Sequence, residues 1–264
     1  MTGASMDVVQ GVEELRHEHG RLFVVIGVFD GLHRGHAYLL EHLRGEADRR
    51  HTRPTVITFD HHPDEVIQGA APPLLLQPAE RLELLAAAGV QVTVVQHFDE
   101  QVRHTPYDAF VAMISSRVDL AGFLMTPDAA FGFERRGTPE ALTALGDREG
   151  FDVVVVPPFT LDGTPVRSSD IRAAIAAGDL ARARDLLGRD VTVTGLPRAD
   201  GDRFELHFDM PVALPPPATY DASIDGRMVD LVILDDMKVV VGEVPGDDPV
   251  RVTLKSVANH QSGQ

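Results

Sequence analysis

Short apolar runs alternate with longer amphipathic runs from residue 21 to residue 188. Continuous apolar runs are typical of strands that are covered on both faces. Five are predicted, at Phe23–Val28, Thr55–Phe59, Val92–Gln96, Phe123–Thr126 and Val153–Val156. The amphipathic runs predict helices at Gly35–Asp48, Pro78–Ala88, Pro106–Arg117 and Pro139–Glu149. This alternation predicts an α/β domain with right-handed crossovers and a parallel sheet.

The pattern changes after residue 188. Two short helices, predicted at Ser169–Ala177 and Leu180–Leu187, complete the first part. Six short runs joined by turns then predict a small antiparallel β-barrel-like domain, with strands at Val191–Thr194, Arg203–Phe208, Thr219–Ile224, Met228–Ile233, Lys238–Val241 and Val250–Leu254. We therefore divide the chain into a loose N-terminus (1–20), an α/β domain (21–188), a β domain (189–258) and a tail (259–264).

Composition narrows the range of partners. The chain has 44% hydrophobic residues and 24% charged residues, which is typical of a globular domain. Its formal charge of −16 disfavours nucleic acid, and it requires any phosphate site to gather positive potential locally. Without cysteine there is no disulfide and no thiolate metal site. No signal peptide or membrane-length apolar run is recognisable, so we expect a cytoplasmic protein without a membrane partner.

The segment Gly27–His36 carries the candidate chemistry, because it joins a strand to a helix at the ligand-binding edge of the predicted sheet. Gly31 and Gly35 let the backbone approach a bound group closely. The helix start offers amide protons to a phosphate. His33 and His36 lie three residues apart, so both imidazoles can face one crevice, hold a triphosphate and stabilise charge at its α-phosphorus. Either histidine alone is more typical of an exposed loop. The segment is neither a G-x-G-x-x-G fingerprint nor a P-loop.

This segment resembles the H-x-G-H nucleotidyltransferases, and more closely the adenylyltransferase half of bacterial bifunctional riboflavin kinase/FAD synthetases. The pattern G-x-F-D-G-x-H-x-G-H is met at Gly27, Phe29, Asp30, Gly31, His33, Gly35 and His36. A second match, to T-F-[DE]-P-H-P, is Thr58-Phe59-Asp60-His61-His62-Pro63, where His61 replaces the first proline. A third, to S-[ST]-x-I-R, is Ser168-Ser169-Asp170-Ile171-Arg172. Phe131-Gly132 retains part of an F-x-F-G loop, and the resemblance spans about residues 22–188.

The resemblance implies a Rossmann-like nucleotidyltransferase domain in which a phosphate oxygen of FMN attacks the α-phosphorus of ATP, so that FAD forms and pyrophosphate leaves. It implies catalytic roles for His33, His36 and Arg172. Nucleotide contacts are implied for Gly27, Phe29, Asp30, Gly31, Gly35, Ser168 and Ser169. Acceptor contacts are implied for Phe59, Asp60, His62, Pro63, Asp128 and Phe131. Mg²⁺ is expected to enter with ATP, and no metal site built by the protein is predicted.

Read without the resemblance, several of these residues have plainer roles. Ser168 and Ser169 can cap a helix, and Arg172 can be a solvated surface residue that reaches an anion only if one is present. Asp30 can orient a histidine, approach the magnesium shell or stabilise the turn. The side chains of Phe59 and Phe131 are typical of a core as much as of a flavin-stacking surface.

Two departures from the family pattern leave alternatives open. The loop G-x-[DN]-F-x-F-G reads Thr126-Pro127-Asp128-Ala129-Ala130-Phe131-Gly132, so a glycine and an aromatic residue are replaced. Another phosphorylated acceptor, another nucleotide as in a cytidylyltransferase, or a non-catalytic flavin- or nucleotide-binding protein therefore remain as alternatives.

The second departure concerns the β domain, which lies where the family carries its riboflavin kinase barrel. The kinase's Pro-Thr-Ala-Asn element is absent from the chain, and its Gly-rich loop is reduced to Asp200-Gly201-Asp202. We therefore expect a degenerate riboflavin kinase-like domain without kinase activity, serving as a packing or dimerisation module.

Overall fold

A computed structural model of the chain describes residues 6–257, and the predicted tail at 259–264 lies outside this range. The chain divides into two compact units. The first contains the chain up to Pro72 together with Leu82–Pro165, and the second contains Pro73–Arg81 together with the chain from Val166 onward. This division falls before the sequence-based boundary at residue 188, because the helices that follow Val166 cluster with the β domain.

The first unit is built on a parallel sheet of six strands. These are β1 to β6, at Asp7–Gln10, Arg21–Ile26, Arg53–Phe59, Val92–Gln96, Asp119–Met125 and Asp152–Val155. Their order is β1-β4-β3-β2-β5-β6, and every neighbouring pair is parallel. The predicted Rossmann-like parallel sheet is thus confirmed. A two-stranded hairpin follows, with β7 at Thr160–Leu161 and β8 at Thr164–Pro165.

Six helices accompany these strands in the chain. They are α1 to α6, at Arg34–Arg50, Pro63–Gln68, Pro78–Ala87, Glu100–Arg103, Tyr107–Ser115 and Pro139–Glu149. Short 3-10 turns lie at Val12–Glu14, His17–His19, Asp30–Leu32 and Phe133–Arg135. The four long helices match the predicted ones within a few residues, whereas α2 and α4 are too short to show a helical period in the sequence.

Burial explains why β2 forms a continuous apolar run. Leu22, Phe23, Val24 and Val25 are all buried, although successive side chains of a strand point to opposite faces. Both faces of the sheet are therefore covered.

Hydrogen bonds from side chains near the helix ends determine where the helices begin. The Thr138 hydroxyl accepts a hydrogen bond from the amide of Ala141 at the start of α6, and this supplies the cap that a helix start lacks.

Residues 6–20 differ from the loose state predicted for residues 1–20. Strand β1 pairs in parallel with β4, and the segment that follows it buries Val12 and Leu15 almost completely. The apolar content of this segment is spread over a four-residue strand and a 3-10 turn, so no periodic run marks it in the sequence. Val9, Val12 and Leu15 are nevertheless buried and fix it to the edge of the sheet.

The second unit contains two helices and a closed barrel. The helices are α7 at Ser168–Ala176 and α8 at Leu180–Leu187. The barrel strands are β9 to β14, at Thr192–Asp200, Arg203–His207, Ala218–Ile224, Arg227–Ile233, Val239–Val241 and Val250–Val257. Their closed order is β10-β13-β12-β11-β14-β9, with all neighbours antiparallel. The predicted barrel and its six strands are confirmed.

A buried carboxylate attaches the segment Pro73–Arg81 to this barrel. Glu80 is 4% exposed and accepts hydrogen bonds from the hydroxyls of Thr192 (3.2 Å) and Thr194 (2.9 Å). Arg251 places its Nε 3.0 Å from the same carboxylate. Pairing of this kind offsets the cost of burying a charge. Glu80 therefore explains why a stretch from the middle of the first half of the chain belongs to the second unit.

Candidate active site

The strand order places the Gly27–His36 segment at a distinctive position in the sheet. From β2 the chain builds outward through β3 to β4, then returns to place β5 on the other side of β2. The order therefore reverses beside the carboxyl end of β2. In open α/β sheets such a switch point opens a crevice in which ligands bind. The histidine-bearing segment begins one residue after β2 ends.

The turn after β2 has a tightly folded backbone. Phe29 adopts a left-handed conformation with φ of 53°, Gly31 has φ of 82° and Leu32 has φ of 34°. Phe29 folds back under the turn and is 1% exposed. A Cβ added to Gly27 would lie 3.1 Å from the Phe29 ring, so a side chain at this position would press on a buried ring. Gly27 and Phe29 therefore determine the shape of the turn on its buried side.

Two hydrogen bonds attach this turn to β3. The Gly27 amide donates to the carbonyl of Ile57 at 3.0 Å, and the Thr58 hydroxyl donates to the carbonyl of Val28 at 2.9 Å. Asp30 is 3% exposed and lies inside the 3-10 turn. The turn is thus held by the sheet, which is the rigid support that a binding site requires.

His33 caps helix α1 with its imidazole. Its Nδ1 accepts a hydrogen bond from the amide of His36 at 3.3 Å. An Nδ1 that accepts a hydrogen bond carries no proton, so in the neutral ring the proton is on Nε2. Nε2 is then a donor. Gly35 is the second residue of α1, so a small residue stands beside the amides of the helix start.

The His33 and His36 rings stack directly on each other. Their centroids are 3.7 Å apart and their planes are inclined by 17°. The Phe29 ring lies 5.0 Å from the His36 ring and supports it from one side. His33 is 4% exposed, whereas His36 is partly exposed. The two imidazoles therefore lie together at the helix start, as the spacing of the motif predicts.

A cavity of about 630 Å³ opens in the first unit at the carboxyl edge of the sheet. Its walls include the end of β2 and the turn residues Gly27 and Val28. Four of the residues predicted to contact the acceptor also line it, namely Phe59, His62, Pro63 and Phe131. Ligand sites of proteins are commonly this large and mostly apolar. Gly27 and Val28 thus belong both to the histidine-bearing segment and to the cavity wall.

His62 and Phe59 have defined structural roles at this wall. The His62 Nδ1 accepts a hydrogen bond from the amide of Asp64 and caps α2. The Phe59 ring packs edge-on against the Phe98 ring, with centroids 5.3 Å apart. Phe98 itself lines the cavity and was missed in the sequence. Its position soon after the end of β4, at the same edge of the sheet, is the signal that identifies it.

Two arginines of the cavity wall were also missed. Arg103 and Arg135 both line the cavity, as do the acidic residues Asp64 and Glu134, and Arg103 pairs with Glu100 at 2.8 Å. Arg135 donates a hydrogen bond to the Asp128 carbonyl at 3.2 Å. Arg135 and its neighbour Glu134 both have φ of 55°, a costly conformation for residues other than glycine. These left-handed conformations cannot be recognised from the amino-acid sequence.

Two residues predicted to contact the acceptor lie apart from the cavity wall. Asp128 is exposed, and its carboxylate accepts a hydrogen bond from the Thr126 hydroxyl at 2.8 Å. Asp60 Oδ2 lies 2.5 Å from Nδ1 of His97. Burial raises the pKa of Asp60, but the hydrogen bond from His97 and those from the amides of His61 and Phe98 outweigh it and lower the pKa. The same hydrogen bond raises the pKa of His97.

Ser168, Ser169 and Arg172 lie in the second unit, on α7. The helix begins at Ser168, one residue earlier than predicted, and Arg167 occupies the cap position without a side-chain hydrogen bond to the helix. The two serines are thus its first residues. Arg172 donates from Nε to the carbonyl of Pro73 at 2.8 Å. Contacts of these three residues with a triphosphate stay a prediction.

A parallel sheet with paired histidines and a helix start at its switch point defines a nucleotide-binding α/β domain. The chain belongs to the FAD synthetase family, whose sequence model matches residues 15–170. A bifunctional riboflavin kinase/FMN adenylyltransferase of Haemophilus influenzae is 31% identical over 192 residues, which is 72% of this chain. The same description belongs to a Pseudomonas fluorescens relative, 31% identical over 191 residues, and to one of Escherichia coli K12, 30% identical over 193 residues; both matches again cover 72% of this chain.

The matched region spans 62%, 61% and 62% of the length of these three relatives. A crystal structure described as a macrolide-efflux protein from Streptococcus pneumoniae has the same fold, with a TM-score of 0.81 and 22% identity. That likeness covers 96% of this chain and 100% of the other. Within residues 6–257, none of the helices combines the length and the apolar character that a membrane crossing requires.

Proposed function

We propose that the chain is an FMN adenylyltransferase, which converts ATP and FMN to FAD and pyrophosphate. The observation that carries this proposal is the stacked pair His33 and His36 at the start of α1, whose turn also forms part of the cavity wall. The family and the described activity of the relatives agree with it. One domain thus offers an anion site beside a space for a flat aromatic acceptor.

The reaction is a direct displacement at phosphorus. An oxygen of the FMN phosphate attacks the α-phosphorus of ATP, the bond from that phosphorus to the bridging oxygen breaks, and pyrophosphate leaves with the electron pair. A phosphate acceptor is already ionised near neutral pH, so no general base is needed. Alignment of the two phosphates and neutralisation of the developing charge then carry the catalysis.

His36 and His33 divide the work in this reaction. His33 Nδ1 is engaged by the His36 amide, so its Nε2 is the nitrogen that serves as a donor. The His36 ring contacts both the His33 ring and the Phe29 ring, which limits its rotation. His36 therefore meets the α-phosphate while His33 donates along the triphosphate, and the amides of the helix start add to the same potential.

The cavity provides for the acceptor. Flavins have a planar tricyclic ring, and the partly exposed aromatic side chains of the cavity wall offer surfaces on which it can stack, at Phe59, Phe98, Phe131 and Phe133. Arg103 and Arg135 stand at the same wall and suit the phosphate of FMN. We assign the acceptor to this cavity on that basis.

Magnesium would be carried into the site by ATP. Among residues 6–257, the grouping of three side chains with converging metal-ligand atoms consists of Asp60, His61 and His97, which has two imidazoles. Mg²⁺ prefers oxygen ligands and is commonly held by substrate phosphates and water. The described donor set therefore does not suit Mg²⁺. Asp30, at 3% exposure, is better placed to hold the turn than to coordinate an ion.

The proposal is tested by incubating the purified full chain with FMN, ATP and Mg²⁺. We expect FAD and pyrophosphate in equal amounts, and a His36→Ala variant that retains the fold but forms little of either. A protein that forms neither product while the fold is intact would refute the proposal. Nucleotide binding without turnover under any pairing would indicate a non-catalytic binding protein.

Another acceptor is the second candidate, and the altered loop favours it. Ala129 lines the cavity where the family pattern has an aromatic residue, so the cavity has less stacking surface there. A screen of nucleoside triphosphates, CTP included, against phosphorylated acceptors distinguishes the two. Pyrophosphate release with a non-flavin acceptor, and none with FMN, would establish this candidate.

We also propose that the barrel has no riboflavin kinase activity. The segment Asp200-Gly201-Asp202 lies at a hairpin between β9 and β10, where Asp200 pairs directly with Arg203. A two-residue hairpin is too short to wrap a triphosphate. Incubation with riboflavin and ATP should therefore give no FMN, and formation of FMN would overturn this part of the proposal.

A further inference from the structure

Asp60, His61 and His97 bring three metal-ligand atoms together at the carboxyl edge of the sheet. Phe59 of β3 is paired with Gln96 of β4, so Asp60 and His97 follow adjacent strands at the carboxyl edge of the sheet. The ligand atoms of the three residues all lie within 4.8 Å of one another. We propose that these three side chains form a binding site for a borderline divalent cation such as Zn²⁺.

The carboxylate of Asp60 is already oriented for this role. Its Oδ1 accepts hydrogen bonds from the amides of His61 (2.8 Å) and Phe98 (3.2 Å). These backbone bonds direct Oδ2 toward the imidazoles, where it lies 2.5 Å from His97 Nδ1 and 3.3 Å from His61 Nδ1. Hydrogen bonds that fix a ligating carboxylate are a regular feature of metal sites.

The distances from Asp60 to the two imidazoles are close to those of a tetrahedral ion, and the ligand atoms of all three residues lie within 4.8 Å of one another. Zinc bonds to nitrogen and oxygen of about 2.0–2.2 Å place tetrahedral ligand atoms roughly 3.3 Å apart. Asp60 and His61 already have this separation, at 3.3 Å. His97 must retreat by somewhat less than 1 Å, and its side chain is 67% exposed, which leaves it room to do so. The proton between His97 and Asp60 is released when the ion binds.

The donor types decide which metal is bound. Two imidazole nitrogens and one carboxylate oxygen suit zinc and similar ions, whereas calcium and magnesium favour sets made entirely of oxygen. Three protein ligands leave a fourth position for water. His61 stands where the family pattern has a proline, which has no ligand atom. The site is therefore built on a residue that distinguishes this chain from the pattern.

A simple ion pair is the competing explanation, and the chain offers a matched example of it. His104 Nδ1 lies 3.3 Å from Glu100 Oε2 on the surface of the same unit, with both side chains exposed. No other histidine or carboxylate completes a metal-binding group with this pair among the described residues. His104→Asn is therefore the control for a histidine–carboxylate pair that lacks a third donor.

The test is a calorimetric titration of Zn²⁺ into the full chain after chelation, without ATP or FMN. We expect one ion per chain and perturbation of the His61 and His97 imidazole signals in nitrogen-15 NMR spectra. His61→Asn and His97→Asn should each weaken binding by on the order of 100-fold, the upper scale for disturbing a metal site. His104→Asn and His36→Ala should bind as the unaltered chain does.

Two results would overturn the proposal. The first is binding of unchanged affinity in both His61→Asn and His97→Asn, which would mean that the ion is adventitious. The second is loss of binding in His36→Ala, which would assign the ion to the stacked histidine pair. Because no substrate is present, the result is independent of whether the chain makes FAD.

Discussion

The imidazoles of His33 and His36 lie face to face at the start of α1, with ring centroids 3.7 Å apart. His33 reaches this position because its own Nδ1 accepts the amide proton of His36 and thereby caps the helix. His33 is thus both the N-terminal cap of α1 and one of the two histidines of the candidate phosphate site. Helix formation and the alignment of the site are consequently a single local event.

His36→Ala should reduce turnover by about two to three orders of magnitude, the scale for removing one donor to a transition state. Its melting temperature should stay near that of the unaltered chain, because His36 is partly exposed. Steady-state assays of pyrophosphate release measure the first effect. His42→Ala, a partly buried histidine of the same helix whose ring bonds to the Tyr38 carbonyl, is the control and should retain turnover. Unaltered turnover in His36→Ala would disprove the assignment of the centre.

His33 permits a separation of capping from catalysis. Asparagine is a good helix cap but has no imidazole. His33→Asn should therefore retain the unfolding free energy while losing turnover, whereas His33→Ala should lose turnover and about 1 kcal/mol of stability as well. Urea unfolding of the two variants distinguishes them. Equal stabilities for both would show that the cap contributes nothing.

Arg135→Gln should raise the KM for FMN by roughly 10-fold or more, since hydrogen bonds to charged groups contribute about 1.5–3 kcal/mol. The turnover number should change little, because the residue lines the acceptor cavity and lies outside the histidine turn. Glutamine removes the charge and keeps a polar side chain of similar reach. Arg148→Gln, an exposed arginine on α6, is the control. An unchanged KM would exclude Arg135 from acceptor binding.

Gly27→Ala should destabilise the chain by about 1–3 kcal/mol, as expected for overpacking. The added Cβ would lie 3.1 Å from the Phe29 ring, which is itself buried. Gly45→Ala on α1 meets nothing within 4 Å and should instead stabilise the helix slightly. Denaturant unfolding of both variants provides the comparison. Equal effects of the two alanines would contradict the packing argument.

Glu46 should make stability depend on pH in the acid range. Partial burial raises its pKa, but hydrogen bonds and charges from Arg49 and Arg50 outweigh this and lower it from 4.5. A depressed carboxyl pKa stabilises the fold above the unfolded pKa, and this stability is lost as the pH falls through the folded pKa. Glu46→Gln should therefore cost roughly 0.3–1 kcal/mol at neutral pH, after allowance for solvent screening. The difference should vanish well below 4.5.

Unfolding free energies measured across this pH range test the sign. A difference that grows as the pH falls would contradict the linkage. The ionic strength offers a second check, because an exposed pair such as Glu46 with Arg49 weakens as salt is added.

Much of the fold follows from the sequence because its signals are local. Continuous apolar runs identify β2 to β6, and the Asp225-Gly226 turn marks the hairpin between β11 and β12. Strand β1 is not predicted, because its four residues include only one buried side chain and show no hydrophobic periodicity. The histidine pair is predictable, because its geometry depends only on a three-residue spacing and on the start of a helix.

The acceptor side of the site is harder to predict. Phe98 and Arg135 line the cavity through the folding of separate loops; the position of Phe98 just after β4 indicates its place, whereas no nearby strand end indicates that of Arg135. Arg135 in addition has a left-handed backbone conformation, which a sequence without glycine at that position does not predict. The carboxylate of Asp128 is exposed and does not line the cavity, so its predicted contact with the acceptor stays a prediction.

The attachment of Pro73–Arg81 to the barrel limits how this protein can be taken apart. A fragment that begins at Val166 would leave Thr192, Thr194 and Arg251 without the carboxylate that joins them. The opposite fragment would carry Glu80 as an orphaned charge. A cut at one junction is therefore expected to destabilise both fragments, and an exchange of the barrel that also carries the upstream stretch Pro73–Arg81 should preserve these contacts.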